Sequence, residues 1–288
     1  MEIVYNWHVT ERCNYSCKFC FAKWNKATEI CEDYEKLEKI LVNLSQKEAI
    51  SNLIGEEITS VRINFAGGEP LMLKKNIFSK IVIKAKEMGF STSLITNGSL
   101  LKPHLNILKY LDMVGISIDS LDENICKNIG RCSGKNYLSE QKLTELVKEI
   151  RWIYPKIKLK FNIVVSKYNY NTNIVEQLQA FEPDRLKILR QLPFKDKKGI
   201  TDEQFERFLN INEKSLKLEN VVIEDKTDIT QSYLMIDPRG RFFQNGNEYK
   251  YIYSKPIYKV GIGYALSQIP FSKEKFMSRY NQGGASNG

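Results

Sequence analysis

Through the first two-thirds of this chain, short β-branched and apolar runs alternate with amphipathic segments. That alternation is the pattern of a parallel sheet whose strands are joined by crossover helices. Strands are predicted over Ile3–Thr10, Val61–Phe65, Ser91–Thr96, Met113–Ile118, Lys158–Val165 and Arg185–Gln191. Helices are predicted between them, over Asp33–Leu53, Asn76–Met88, Lys102–Leu111, Ser139–Tyr154 and Asn173–Phe181. The first helix carries Leu37, Ile40, Leu41 and Leu44 on one face, with Asp33 placed to cap its free N–H groups. Gly89 is a plausible stop for the second. Six such strands in series, with right-handed crossovers, curl into an open barrel or a strongly twisted sheet. The expected fold class is therefore α/β, a partial (βα)6 barrel, whose chemistry sits at the carboxyl ends of the strands.

After about Phe194 the alternation fades. A helix near Asp202–Ser215 leads to short pieces at Val221–Ile223, Ser232–Ile236 and Arg241–Gln244, the last two joined by the turn Asp237-Pro238-Arg239-Gly240. Residues 1–194 are read as the barrel and residues 195–288 as a small extension covering the site, with a flexible tail from Gln282. No apolar run reaches the roughly 18 residues a membrane span needs, and the opening residues lack the layout of a signal peptide. The expectation is a cytoplasmic protein without a membrane partner. A net charge of +9 suggests an anionic partner, but the lysines are scattered over amphipathic helices. No basic stripe with interleaved aromatics marks a nucleic-acid surface.

Six cysteines without a secretion signal do not make a disulfide framework. Cys31, Cys126 and Cys132 stand apart and read as ordinary thiols in or near packing. Cys13, Cys17 and Cys20 are different: their spacing is C-x3-C-x2-C, directly after the first predicted strand. Three thiolates hold three irons of a cubane cluster and leave the fourth iron open. Zinc is the rival, but a structural zinc site takes four protein ligands, and the nearby His8 lies within the strand.

This loop, with the aromatic Phe19 before its last cysteine, resembles the radical S-adenosylmethionine (SAM) superfamily. The resemblance implies one 4Fe-4S cluster whose open iron is chelated by the amino and carboxylate groups of SAM, and cleavage of SAM to a 5′-deoxyadenosyl radical. It implies further roles at strand ends. Gly67-Gly68-Glu69 resembles the turn that takes the SAM amino group, with glycines for close approach and Glu69 for the ammonium. Asn97 and Ser117 correspond to residues facing the ribose and methionine portions, and Arg131 to the partner of the SAM carboxylate. Each of the last three has a capping or surface role as its alternative.

The resemblance narrows to the viperin family through Asn6-Trp7-His8-Val9-Thr10, Asn64-Phe65-Ala66-Gly67-Gly68-Glu69-Pro70, Thr96-Asn97-Gly98-Ser99-Leu100, Ser117–Glu123, Ile129-Gly130-Arg131 and Ser232–Asp237. Without the amphipathic membrane helix of animal viperins, the chain looks like a prokaryotic viperin-like antiviral enzyme. The implied reaction converts a ribonucleoside triphosphate (CTP, UTP or GTP) to its 3′-deoxy-3′,4′-didehydro analogue, a chain terminator. It begins with removal of the C4′ hydrogen and needs a flavodoxin- or ferredoxin-like electron donor.

A triphosphate also makes sense of the residues themselves. Lys160 and Asn162 lie two apart on the fifth predicted strand, and Arg185 and Lys187 two apart on the sixth, so each pair shares a face. Three cations aimed inward call for an anion. In the alternative these positions face solvent, with Phe161, Ile163 and Leu186 toward the core. The family resemblance adds Lys26 and Arg279 as phosphate contacts and Tyr233 as a group that delivers the closing hydrogen or electron. The loop around Lys26 and the run after Arg279 depart from the family pattern.

Three rivals are set aside by sequence. The cyclase of molybdenum-cofactor synthesis and peptide-modifying enzymes need further cysteine-bound clusters, and no cysteine follows Cys132. A non-catalytic iron–sulfur or zinc protein leaves the Gly-Gly-Glu-Pro turn and the strand-end polar residues unexplained.

Overall fold

The computed structural model describes residues 1–22, 29–193, 198–245 and 250–281, the side chains of 279–281 excepted. Its strands are β1 (Glu2–Thr10), β2 (Ser60–Gly67), β3 (Ser91–Thr96), β4 (Met113–Ser117) and β5 (Lys158–Val165). They continue with β6 (Arg185–Arg190), β7 (Val221–Glu224), β8 (Leu234–Ile236), β9 (Arg241–Asn245) and β10 (Tyr251–Pro256). The chain divides into two compact units, one of Met1–Arg12, Ala22–Leu94 and Thr227–Gly288, the other of Cys13–Phe21 and Ile95–Lys226.

In the first unit the strand order is β10-β9-β8-β1-β2-β3. β1, β2 and β3 are parallel, β8 joins β1 in parallel, and β9 and β10 add antiparallel neighbours. In the second unit β4, β5, β6 and β7 run in that order, all parallel. The fold is mixed α/β with parallel strands joined by helices, as the alternating pattern predicts.

The strands are two-faced. On β1 the odd positions Ile3, Tyr5, Trp7 and Val9 are all buried, each such side chain contributing about 1.5–3 kcal/mol on leaving water. The even positions include Asn6, His8 and Thr10. Pairing carries this polar face across the sheet, because Asn6 lies opposite Asn64 and Asn64 opposite Ser93. Asn64 donates to Asn6 at 2.7 Å and accepts from the Ser93 hydroxyl at 2.8 Å, so the buried row is satisfied laterally. A row of this kind has no place in an apolar core and marks a face turned toward polar contents.

The helix predicted over Asp33–Leu53 is two helices, Tyr34–Leu44 and Lys47–Ile54. The Ser45 hydroxyl donates to the Val42 carbonyl, and the Gln46 N–H turns back to Asn43, closing the first helix in a tight turn. Its predicted features hold: Asp33 accepts from the Lys36 N–H, and Leu37, Ile40, Leu41 and Leu44 are buried. Lys102–Tyr110 is a 3-10 helix rather than an α-helix. β10 and the helices Ile257–Val260, Ile262–Leu266 and Lys273–Asn281 are additions that short, irregular periodicity did not reveal. Among the described residues no helix is long and apolar enough to cross a membrane.

Candidate active site

The three-cysteine loop leaves β1 and docks on the end of the helix Glu123–Ile129. The Ser16 N–H donates to the Gly130 carbonyl at 3.0 Å and the Lys18 N–H to the Ile129 carbonyl at 2.8 Å. These carbonyls have no partner inside a helix, so the loop satisfies a helix C-terminus and is shaped by it. Gly130 caps that helix in the left-handed region, with φ +85.

Cys13 is exposed, and Cys17 and Cys20 are half-buried. The Cys13 sulfur receives the Tyr15 N–H at 3.4 Å and the Asn97 Nδ2 at 3.9 Å, donors of the kind that favour a thiolate. Asn97 is held in turn: it donates to Asn14 at 2.8 Å, accepts from the Ser99 N–H, and Asn14 donates to Ser99. Burial pushes the Cys17 thiol up to about 11, with Arg131 pulling the other way. Among the described residues no three His, Cys, Asp or Glu side chains converge as a single ion requires. Three thiols on one loop, with N–H donors to Cys13, fit a cubane, which holds its thiolates farther apart than a lone ion does.

Arg131 follows Gly130 and turns inward. Its Nε donates to Asp119, its Nη1 donates to the Ser117 carbonyl at 3.2 Å, and its guanidinium lies 5.8 Å from the Phe19 ring centre. Burial presses this guanidinium down, and the Asp119 carboxylate more than reverses the effect, so it stays charged. Asp119 also accepts the Val164 N–H at 2.8 Å. A cavity of about 10 Å³, room for roughly one water, is lined by Asn97, Ser117 and Arg131 together with Tyr15, Ser120 and Cys126. Three residues singled out in separate stretches of sequence are thus brought to one place. Asp119 and Tyr15 were not singled out. Asp119 lies two residues beyond Ser117, and that period-2 spacing was the available signal.

Gly67, Gly68 and Glu69 belong to the first unit, where they cross the stretch that leads to Cys13. The Gly68 N–H donates to the Thr10 carbonyl and the Glu69 N–H to the Arg12 carbonyl, both at 2.7 Å. A Cβ on Gly68 would lie 2.3 Å from the Arg12 oxygen, and one on Gly67 would lie 2.4 Å from that of Thr10. Neither position has room for a side chain. Glu69 is fully buried and also caps the turn after it by accepting the Leu71 N–H at 3.2 Å.

On β5 and β6, Lys160 stands opposite Arg185 and Asn162 opposite Lys187. Lys160, Asn162 and Lys187 are only 4%, 8% and 6% exposed, so these three do not face solvent, while Arg185 is half-buried. The intervening Phe161, Ile163, Leu186 and Ile188 fill the other face. Lys187 pairs with Glu224 of β7 at 2.6 Å, an acid the sequence reading did not weigh. Tyr233 is half-buried just before β8, and its carbonyl receives the Gln244 side chain. Cys31 and Cys126 are buried thiols, as read from sequence. Lys26 lies outside the described residues. Arg279 lies in the helix Lys273–Asn281, but its side chain is outside them.

Residues 7–151 match the model of the radical SAM superfamily, whose members use a 4Fe-4S cluster and SAM. An S-adenosylmethionine-dependent nucleotide dehydratase of Fibrobacter sp. (strain UWH6) is 41% identical, with 96% of this chain and 88% of the relative aligned. One from Pseudoalteromonas ulvae is 39% identical, over 97% of this chain and 93% of the relative. Among solved structures, native anSMEcpe with bound AdoMet and a Kp18Cys peptide superposes with a TM-score of 0.68 at 16% identity, over 96% of this chain and 82% of that one. That likeness carries the fold alone. The cysteine loop, the strand-end polar residues and near full-length identity together place the chain in the radical SAM superfamily, among the viperin-like SAM-dependent nucleotide dehydratases.

Proposed function

We propose that this chain dehydrates a ribonucleoside triphosphate to its 3′-deoxy-3′,4′-didehydro analogue, a chain-terminating antiviral nucleotide. The observation that carries the reading is the cationic face of β5 and β6, where the buried Lys160, Asn162 and Lys187 lie beside the half-buried Arg185. Lys187 pairs with Glu224 of β7 at 2.6 Å, and a cationic strand face of this kind suits a polyanionic substrate. Arg185 gives forked recognition of phosphate oxygens and the lysines add point charge.

Cys13, Cys17 and Cys20 hold the cluster in this reading. Glu69 and Arg131 take the amino and carboxylate groups of SAM, and Asn97, Ser117, Phe19, Gly67 and Gly68 shape the space around them. Cluster and SAM together supply the 5′-deoxyadenosyl radical that removes the C4′ hydrogen of the ribose. The chain's own work is to fix the ribose against that group, exclude water and hold the phosphates. Tyr233 stands as the group that closes the reaction by delivering a hydrogen or an electron, and Lys26 and Arg279 complete the phosphate contacts. A reducing electron donor of flavodoxin or ferredoxin type supplies the electrons, in a cytoplasmic setting without nucleic-acid or membrane partners.

The test is an anaerobic assay of cluster-reconstituted protein with SAM and reductant, offered CTP, UTP, GTP and ATP separately. Mass spectrometry follows 5′-deoxyadenosine and any nucleotide lighter by one water. One nucleotide is expected to stimulate both. SAM cleavage that no nucleotide stimulates would remove the substrate assignment and leave the superfamily chemistry standing.

A further inference from the structure

Thr10, the last residue of β1, and the two residues that lead from it to Cys13 are gripped from two sides. On one side the Gly67-Gly68-Glu69 turn donates two N–H groups to the Thr10 and Arg12 carbonyls. On the other side stands Glu29, distant in sequence and absent from every motif. Its Oε1 accepts the Thr10 hydroxyl at 2.7 Å and the Glu11 N–H at 2.7 Å. Its Oε2 accepts from the Arg12 guanidinium, Nε at 3.1 Å and Nη2 at 3.0 Å. The Cys31 thiol adds a fifth donor at 3.4 Å and itself receives Arg12 Nη2 at 3.2 Å. Inside this grip the Thr10 hydroxyl accepts the Arg12 N–H at 3.1 Å.

The Glu29 side chain is only 11% exposed. A carboxylate so far withdrawn from water, with both oxygens doubly engaged by three consecutive residues, is committed to one geometry. The chain runs from those residues directly into Cys13, the first cysteine of the loop. The turn sets the Thr10 and Arg12 carbonyls, and Glu29 holds the Thr10 and Arg12 side chains and the Glu11 N–H.

We propose that Glu29 is a positioning residue for the iron–sulfur centre: it fixes the Thr10–Arg12 segment, from which the chain runs directly into Cys13, and so sets how the first cluster ligand enters its loop. The proposal rests on the assignment of Cys13 to the cluster. Glu29 touches neither the cluster nor SAM. Its effect passes through Thr10, Glu11 and Arg12. Partners of this kind, one layer behind a metal ligand, typically alter metal retention or activity by about 10–100-fold when removed.

The experiment compares wild type, Glu29→Gln and Glu29→Ala as anaerobically reconstituted full-length chains. The glutamine keeps an acceptor for Thr10 and Glu11 and gives up the charge beside Arg12. The alanine gives up both. Two quantities are read: the rate of iron release to a chelator, and the SAM concentration that half-saturates the change in the electron paramagnetic resonance spectrum of the reduced cluster. Both should rise in the order wild type, Gln, Ala, reaching about ten-fold for Ala, while thermal melting shows each chain folded. Glu35→Ala, which removes only the exposed pair with Lys39, should match wild type in both.

If Glu29→Ala does not fold, Glu29→Gln and Thr10→Val carry the comparison, each expected to give an intermediate effect. Folded variants that retain iron and bind SAM as wild type does would overturn the proposal. Failure of the wild-type chain itself to hold iron would instead overturn the cluster assignment beneath it.

Discussion

Gly130 and Ser16 meet backbone to backbone: a Cβ added to Gly130 would lie 2.5 Å from the Ser16 carbonyl oxygen. The contact explains why the helix Glu123–Ile129 ends where it does, and why the cysteine loop lies against it.

Gly130→Ala therefore faces two obstacles, a left-handed φ of +85 and backbone in the way. It is expected to lower stability by about 1–3 kcal/mol and to reduce iron bound per chain after reconstitution. Gly89→Ala is the control, since its φ of +82 is as demanding but nothing lies within 4 Å of the added carbon. That variant should lose stability and keep its iron. Equal iron in both variants would mean that the Gly130 contact does not shape the loop.

Asp119→Asn leaves the Arg131 guanidinium in a buried site without its carboxylate. Removing one member of a buried pair costs about 3–5 kcal/mol, measurable by urea unfolding. Adding Arg131→Met to Asp119→Asn should recover part of that loss, because no charge is then stranded. A double variant no more stable than Asp119→Asn would show that the pair is not what the site needs.

The parts of the site that sequence revealed are those with a local rule. Three cysteines within eight residues need no tertiary information, and the period of two along β5 and β6 by itself puts Lys160 with Asn162 and Arg185 with Lys187 on a shared face. The hidden parts are pairings across long separations. Asp119 with Arg131, Lys187 with Glu224 and Glu29 with Thr10 each join residues from separate stretches of the chain. Composition and spacing carry no trace of such meetings. Helix boundaries failed for a smaller reason. At Ser45 a hydroxyl bonded back to Val42 and a turn at Gln46 ended a helix whose apolar pattern ran on.

Lys160→Ala and Arg185→Ala should each weaken nucleoside-triphosphate binding by about ten-fold or more, the scale of one charged hydrogen bond. Iron content should stay at the wild-type level. Isothermal titration with each nucleotide checks the first, and iron analysis the second. Unchanged affinity in both variants would place the triphosphate elsewhere.

His8 is buried against the edge of Phe243, ring centres 5.4 Å apart, and burial lowers it to about 3 from the usual 6.5. Between those values the unfolded chain binds the extra proton and the folded chain does not. Stability from this group therefore rises with pH across the window and is lost as pH falls below about 6.5, by at most about 1.4 kcal/mol per pH unit. Denaturant unfolding near neutrality and at about pH 5 should show a larger loss for wild type than for His8→Phe. A parallel loss in the two would mean that His8 is not the group responsible.

The two-faced strands have a consequence for how this scaffold changes over time. On β5 and β6, Phe161, Ile163, Leu186 and Ile188 pack the protein, while Lys160, Asn162, Arg185 and Lys187 lie on the opposite face of the same segments. Alternate codons in one short stretch thus answer to different selection, one set to apolar packing and the other, on the proposed function, to ligand chemistry. Exchange at Lys160 or Asn162 leaves the packing positions untouched, whereas Lys187 can change only together with its partner Glu224. Divergence in what such a chain binds is therefore constrained at one of these positions by the acid beside it.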